Sequence, residues 1–154
     1  MNRYLISSDS MKWKYKEDYT MGDTLRFACG CGNVFDSAEA AANCTKCGTP
    51  LTNEGMGVIY LYRMGNPLGM AVGFGVYVDG KPFGHLANTQ KVGLVVPYGS
   101  HTIHCTHGMS RKGVDATLNV TPDAPVAYAK AHIKPGVFTN TIVIEQAQAS
   151  DMPA

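Results

Sequence analysis

Four of the five cysteines fall in two tight pairs, Cys29-Gly30-Cys31-Gly32 and Cys44-Thr45-Lys46-Cys47-Gly48, with twelve residues between them. Two sharp turns that each present two sulfurs supply the four soft thiolates that a zinc ion takes in a tetrahedron. The glycines suit this chemistry, because they let the backbone turn sharply and aim amide N–H groups at the sulfurs. Cys29, Cys31, Cys44 and Cys47 are therefore the expected ligands of one structural Zn2+ per chain. With every ligand a cysteine, no coordination position is left for water or substrate, which argues against catalysis by the metal. Binding would contribute on the order of 10 kcal/mol to folding a module too short for a core of its own. Two disulfides, a redox-active Cys44/Cys47 pair and an iron centre of the same geometry are the competing readings, although no βαβ setting surrounds Cys44.

Other candidates for chemistry carry less. His101, Cys105 and His107 share one face of an expected strand and His104 the other, so the three histidines do not converge as they would on a helix. A second metal at His101, Cys105 and His107 would need a further ligand such as His85 or His132. A Cys/His nucleophilic pair lacks both an orienting group and an oxyanion site, and no catalytic residue is assigned. Gly73-Phe74-Gly75 lacks the third glycine and the following helix of a dinucleotide loop, and reads as a strand with a bulge. Lys12, Trp13, Lys14, Tyr15 and Lys16 combine charge with stacking rings, a combination that suits single-stranded nucleic acid but also an exposed strand or docking arm.

These residues must be positioned by a mostly β chain. Its 154 residues are 45% hydrophobic and 16% charged, enough apolar material for a packed core. The formal net charge of +1 denies it the broad basic field of a general nucleic-acid binder. No apolar run is long enough for a signal peptide or a membrane span, so a cytoplasmic location is the default, a virion component assembled inside a cell being compatible with it. Residues 1–24 form an arm, 25–52 the cysteine module, 56–147 a β domain and 148–154 a tail without a packing pattern. Thr49 to Gly55 is the turn-rich joint between the modules. The Ala-rich segment from Asp36 to Ala42 is expected to begin a helical turn capped by Asp36 or Ser37.

From residue 56 onward, about seven short strands are expected, near 57–62, 72–78, 92–96, 102–106, 116–120, 126–133 and 138–145. Such spacing signals an antiparallel sandwich or barrel. Asp79-Gly80 is a hairpin turn, since such turns demand positive φ.

Two resemblances follow from these motifs. Residues 25–50 resemble the small zinc ribbons, whose halves read Cys-x-x-Cys-Gly or Cys-x-Cys-Gly. The region 56–147 resembles the PEGA-like β-sandwich domains, and most closely a related uncharacterised domain of bacterial lipoproteins and phage-associated proteins. The matching residues are Gly57 to Arg63, Val76-Tyr77-Val78-Asp79-Gly80-Lys81 with Gly84-His85-Leu86, and Val96-Pro97-Tyr98-Gly99-Ser100-His101-Thr102-Ile103. His101 falls on the family's histidine.

The resemblance implies a small immunoglobulin- or transthyretin-like sandwich used for adhesion, scaffolding or protein contact, with no assigned reaction. The expected function is a non-enzymatic structural or protein-interaction module, bound to a protein partner or to copies of itself as a homo-oligomer or filament. A nucleic-acid-binding zinc-ribbon protein using the Lys12–Lys16 arm is the alternative.

Overall fold

The computed structural model of the chain describes residues 24–66, 72–108, 113–138 and 140–153. Strands dominate them. The cysteine region holds β1 (Leu25–Ala28), β2 (Val34–Ser37), β3 (Ala41–Asn43) and β4 (Pro50–Thr52). The rest holds β5 (Met56–Arg63), β6 (Phe74–Val78), β7 (Lys81–Leu86), β8 (Lys91–Pro97), β9 (Gly99–His107), β10 (Gly113–Val114), β11 (Ala116–Val120), β12 (Val126–Lys134) and β13 (Thr141–Ala147). A single 3-10 turn, Ala149–Asp151, is the only helical element among the described residues. The chain is thus mainly β, as expected.

Two sheets make the sandwich. The larger runs in the order β10-β13-β12-β5-β8-β1-β2 and the smaller β11-β9-β6-β7, while β3 and β4 form a separate hairpin. Most pairings are antiparallel, but β5 with β12, β1 with β8 and β10 with β13 run parallel. The interior follows from alternation: on β6, Phe74, Val76 and Val78 point inward, and on β9, His101, Ile103 and Cys105 do so. All of these except His101 meet Ile59 and Leu61 of β5, Val92, Leu94 and Val96 of β8, and Ala129, Ala131 and Ile133 of β12 in one core.

The central strands β5 and β8 do not alternate. Val58 to Leu61 and Val92 to Val96 are buried without a break, which a strand shows only when both faces of its sheet are covered. A second cluster does the covering: Leu25, Phe27, Val58, Tyr60 and Val95 are buried on the outer face, with Phe35, Leu51, Met56, Val126, Tyr128 and Met152 packed against them. The cysteine region therefore does not hang beside the sandwich: β1 aligns Leu25 with Gly93 and Arg26 with Leu94 and extends the larger sheet.

Several local expectations change. The Ala-rich segment is extended, not helical: β2 continues to Ser37, whose hydroxyl accepts the Glu39 N–H at 3.0 Å, and Ala41–Asn43 pairs with Pro50–Thr52. Nucleating a helix over so few residues loses to a ready hairpin partner. The turn-rich joint accordingly begins as strand β4. The tail is not without packing, since Met152 joins the outer cluster and the Lys91 ammonium donates to the Pro153 carbonyl at 3.4 Å. β7 was not among the expected strands because Pro82 and Gly84 break its pattern, and an edge strand tolerates both. The Asp79-Gly80 turn stands, with φ of 52° and 81°, as does the bulge, seen as a register shift between Gly75 and Tyr77.

Arg63 is wholly buried in the interior. Its Nη1 donates to the carbonyls of Val72 at 2.7 Å and Leu86 at 3.1 Å, and its guanidinium lies 3.8 Å from the centroid of the Phe74 ring. Burial lowers its pKa, an effect the nearby Cys105 opposes.

Close packing between the sheets sets a testable limit at Gly57. A Cβ there would lie 2.7 Å from Cβ and Cγ2 of Val120 and 3.1 Å from the Pro125 carbonyl, none of which a rotamer change moves away together. Gly57→Ala is expected to destabilise the fold by about 1–3 kcal/mol, read as a lower urea midpoint, whereas Gly30→Ala, where nothing lies within 4 Å, leaves the midpoint in place.

Candidate metal centre

Two knuckles build the site. The first leaves the end of β1: the Cys29 N–H donates to the Asn33 carbonyl at 2.8 Å and the Gly32 N–H to the Cys29 carbonyl at 2.9 Å. Gly32 sits at a φ of +95°, where a side chain would be strained. The second leaves the end of β3, with the Gly48 N–H donating to the Cys44 carbonyl at 2.9 Å and the Cys44 N–H to the Thr49 carbonyl at 2.8 Å. The β1–β2 pair, backed by the stack of Phe27 on Phe35 at 5.6 Å, holds the first knuckle, and the β3–β4 hairpin holds the second.

The four sulfurs converge. Cys29 Sγ lies 3.6 Å from Cys47 Sγ and Cys31 Sγ 3.7 Å from Cys44 Sγ, and all four lie within 4.8 Å of one another. A tetrahedron with metal–sulfur bonds of about 2.3 Å has edges of about 3.8 Å, so the cluster has the size of a metal site. The contacts are far beyond the ~2.05 Å of a disulfide, and the thiols are free. Cys29 and Cys44 are buried and Cys31 and Cys47 exposed, which puts the site at the surface with one side against the protein.

The surroundings favour thiolate at the second knuckle. The Cys47 N–H leads in holding the Cys44 thiol down at about 5 against the opposing effect of burial, helped by the Asn33 amide, the Lys46 N–H and the Cys31 thiol. Asn33 Nδ2 donates to Cys44 Sγ at 3.5 Å, and the Lys46 and Cys47 N–H groups do so at 3.4 and 3.5 Å. The Thr49 hydroxyl and N–H lower Cys47. At Cys29 the Cys31 N–H pulls the other way, but burial and the crowding thiols outweigh it and push Cys29 up to about 12. Four thiols this close cannot all ionise without a cation among them. The donor set fits a metal ion.

The histidines do not join them. His101 is buried, with Nδ1 2.7 Å from Asp79 Oδ2 and Nε2 2.6 Å from the Pro97 carbonyl. Both ring nitrogens thus face protein acceptors. His104, on the opposite face, pairs with Asp115 at 2.7 Å, His107 sits edge-on to Phe74 at 5.6 Å, and His132 lies 3.0 Å from Glu145. The His85 ring lines a trough on the outer face of the smaller sheet with Tyr77 and Thr106. Among the described residues, the four cysteines are the one group of three or more such side chains whose ligand atoms converge, so His101, Cys105 and His107 are not brought together as a second site. Burial, reinforced by Asp115 against the opposing Arg63, pushes the Cys105 thiol up to about 12. It is no nucleophile at neutral pH. Lys12 to Lys16 lie outside the described residues.

One functional contact escapes reading by motif. Arg26, 5% exposed, makes two hydrogen bonds to the Asp36 carboxylate, at 2.5 and 3.0 Å, and through Nη1 donates to the carbonyls of Phe83 at 3.2 Å and His85 at 2.6 Å. It clamps the hairpin bearing the first knuckle to the edge strand β7 of the opposite sheet. Gly84, with a φ of +84°, leaves the space, for a Cβ there would lie 3.0 Å from Arg26 Nη1. The cross-strand pair Arg26 and Asp36 becomes visible only once the β1–β2 register is known.

No known family model matches this chain, and no curated protein is similar to it. No helix among the described residues is long and apolar enough to cross a membrane.

Asp79 gives the region a sign-defined pH response. Burial pushes its carboxyl up, but the Thr102 N–H and the His101 ring outweigh this, and Lys81 adds to them, so its pKa lies below the usual value of 3.8. A carboxylate lowered in the folded state adds stability that is present above its unfolded pKa and lost as pH falls through the folded one. Denaturation midpoints of the wild type are therefore expected to fall more steeply below pH ~4 than those of Asp79→Asn, which is less stable at neutral pH; parallel profiles would show that the ion pair contributes nothing.

Proposed function

We propose that the chain is a non-enzymatic structural and protein-interaction module whose cysteine region is held by one structural zinc ion. The single observation that carries this reading is the convergence of four sulfurs, and no oxygen or nitrogen ligand, within 4.8 Å at the end of two glycine-bearing knuckles. An all-thiolate set selects zinc or an iron centre, and a mononuclear site of this form is closed to water and substrate. Bound there, zinc would supply a cross-link between the β1–β2 and β3–β4 hairpins and no chemistry of its own. Two observations among the described residues support a non-catalytic role: the His101 ring is saturated by Asp79 and Pro97, and the Cys105 thiol is enclosed and its pKa pushed up to about 12 by burial. The resemblance of residues 56–147 to PEGA-like sandwiches points the same way, toward a scaffold that presents surfaces.

Native mass spectrometry with element analysis checks this reading. One zinc per chain is expected, retained in Cys105→Ser and lost in Cys44→Ser. Hydrogen exchange after chelation should show protection lost across residues 29–52 while β5, β8 and β12 keep theirs. Tight one-to-one zinc in Cys29→Ser would show that Cys29 is not the fourth ligand, and unchanged exchange after complete metal removal would overturn the structural role.

A further inference from the structure

The four sulfurs of the cluster are not equivalent. Cys44 Sγ is enclosed and accepts three N–H groups, from the Asn33 amide at 3.5 Å, Lys46 at 3.4 Å and Cys47 at 3.5 Å. Cys29 is buried as well and accepts from the Cys31 N–H. Cys47 is exposed, but the Thr49 hydroxyl lies 3.0 Å from its sulfur and the Thr49 N–H adds a second donor. Cys31 alone combines exposure with the want of a donor: among the described residues its sulfur meets the Cys44 sulfur at 3.7 Å and no N–H or O–H group.

The approach to Cys31 is open. It stands between Gly30 and Gly32, both exposed, and a Cβ built on either would meet nothing within 4 Å. Each hydrogen bond to a thiolate draws on the electron density that the sulfur would otherwise give to an electrophile, and must weaken as a new S–C bond forms. With an ion bound, all four sulfurs are thiolates, so acidity no longer ranks them. Access and hydrogen bonding do.

We infer that Cys31 is the modification site of this cluster, the thiolate to which a soft electrophile of the α,β-unsaturated carbonyl class adds first, with release of the zinc ion. The inference rests on the structural-zinc reading and adds a regulation to that site. A lone pair of Cys31 Sγ forms the bond to the β-carbon. The C=C π pair shifts toward the carbonyl, and the α-carbon takes a proton from water, leaving hydroxide. No electron is gained or lost. A neutral thioether replaces a charged ligand, and Cys29 is then the one thiolate that ties the first knuckle to the ion. That knuckle stays fixed through β8 and Arg26, so the β3–β4 hairpin, built of three-residue strands, is what comes loose.

The test treats the zinc-loaded full chain at neutral pH with less than one equivalent of N-ethylmaleimide, maps the adducts by peptide mass spectrometry and follows freed zinc with a metal-binding dye. The first adduct is expected at Cys31, about tenfold ahead of Cys47. Zinc should appear in step with it, while Cys105, 1% exposed, stays unlabelled. Thr49→Val, which removes a donor from Cys47, should raise labelling there and leave the rate at Cys31 in place; Thr49→Ser, which keeps a hydroxyl, should leave Cys47 slow. Hydrogen exchange of the singly labelled chain should rise across residues 41–52 while β1 keeps its protection.

A first adduct at Cys29, Cys44 or Cys47, equal rates at Cys31 and Cys47, or zinc still bound after Cys31 is labelled would each overturn the inference. The wild-type mapping decides by itself should Thr49→Val fail to fold. A chain that holds one zinc but is labelled elsewhere first removes this inference and leaves the structural-zinc reading standing. A chain that holds no zinc removes both, and the metal count shows it before any reagent is added.

Discussion

Burial of β5 and β8 on both faces is the constraint from which the rest of the molecule follows. Val58 to Leu61 and Val92 to Val96 are apolar at successive positions, so no orientation of the sheet hides one set of side chains without baring the other. The inner set meets the smaller sheet. The outer set, Val58, Tyr60 and Val95, would face water if the chain consisted of the sandwich alone. Leu25 and Phe27 from β1, Leu51 from the β3–β4 hairpin and Met152 from the tail lie over it instead. Gly93 lets this layer come close, since a Cβ there would lie 2.9 Å from the Leu25 side chain and 3.0 Å from that of Tyr60.

The cysteine cluster inherits its position from that layer. Once β1 is paired with β8, Cys29 emerges at the end of a strand already fixed on the sheet, and Arg26 ties the same hairpin across to β7. The second knuckle is anchored less firmly, through the three-residue strands β3 and β4. An ion bridging Cys29 and Cys31 to Cys44 and Cys47 would therefore fasten the weakly held hairpin to the strongly held one. Most of the polar interior obeys the same logic of enclosure, although the buried His107 Nε2 has no hydrogen-bond partner among the described residues. Arg26, Arg63 and His101 are buried polar groups, and each is met by carbonyls or a carboxylate, as a desolvated donor requires.

Much of this was legible in the residues. Alternation on β6 and β9, the Asp79-Gly80 turn and the strand positions after residue 56 follow from a two-residue period and from φ requirements, which are local. So does the pairing of cysteines into knuckles. What misled were segments whose local signal is weak or points elsewhere: the alanines of 38–42 read as a helix start, the tail read as unpatterned, and Pro82 and Gly84 hid an edge strand. In each the outcome was decided by a partner far away in sequence or by the absence of one, as at the edge where Pro82 forfeits no ladder bond.

The sequence by itself determined that four thiols would be presented in pairs on two turns and that the chain would fold as β-structure, because turn geometry and side-chain alternation are properties of neighbouring residues. Tertiary structure alone decided that the cysteine hairpin joins the larger sheet in parallel with β8, that Arg26 spans the sheets, and that His101 is saturated by Asp79 and Pro97 and withheld from any second cluster of ligands. Those outcomes depend on strand order and register, and register is set by which faces must be buried together rather than by any residue's own preference.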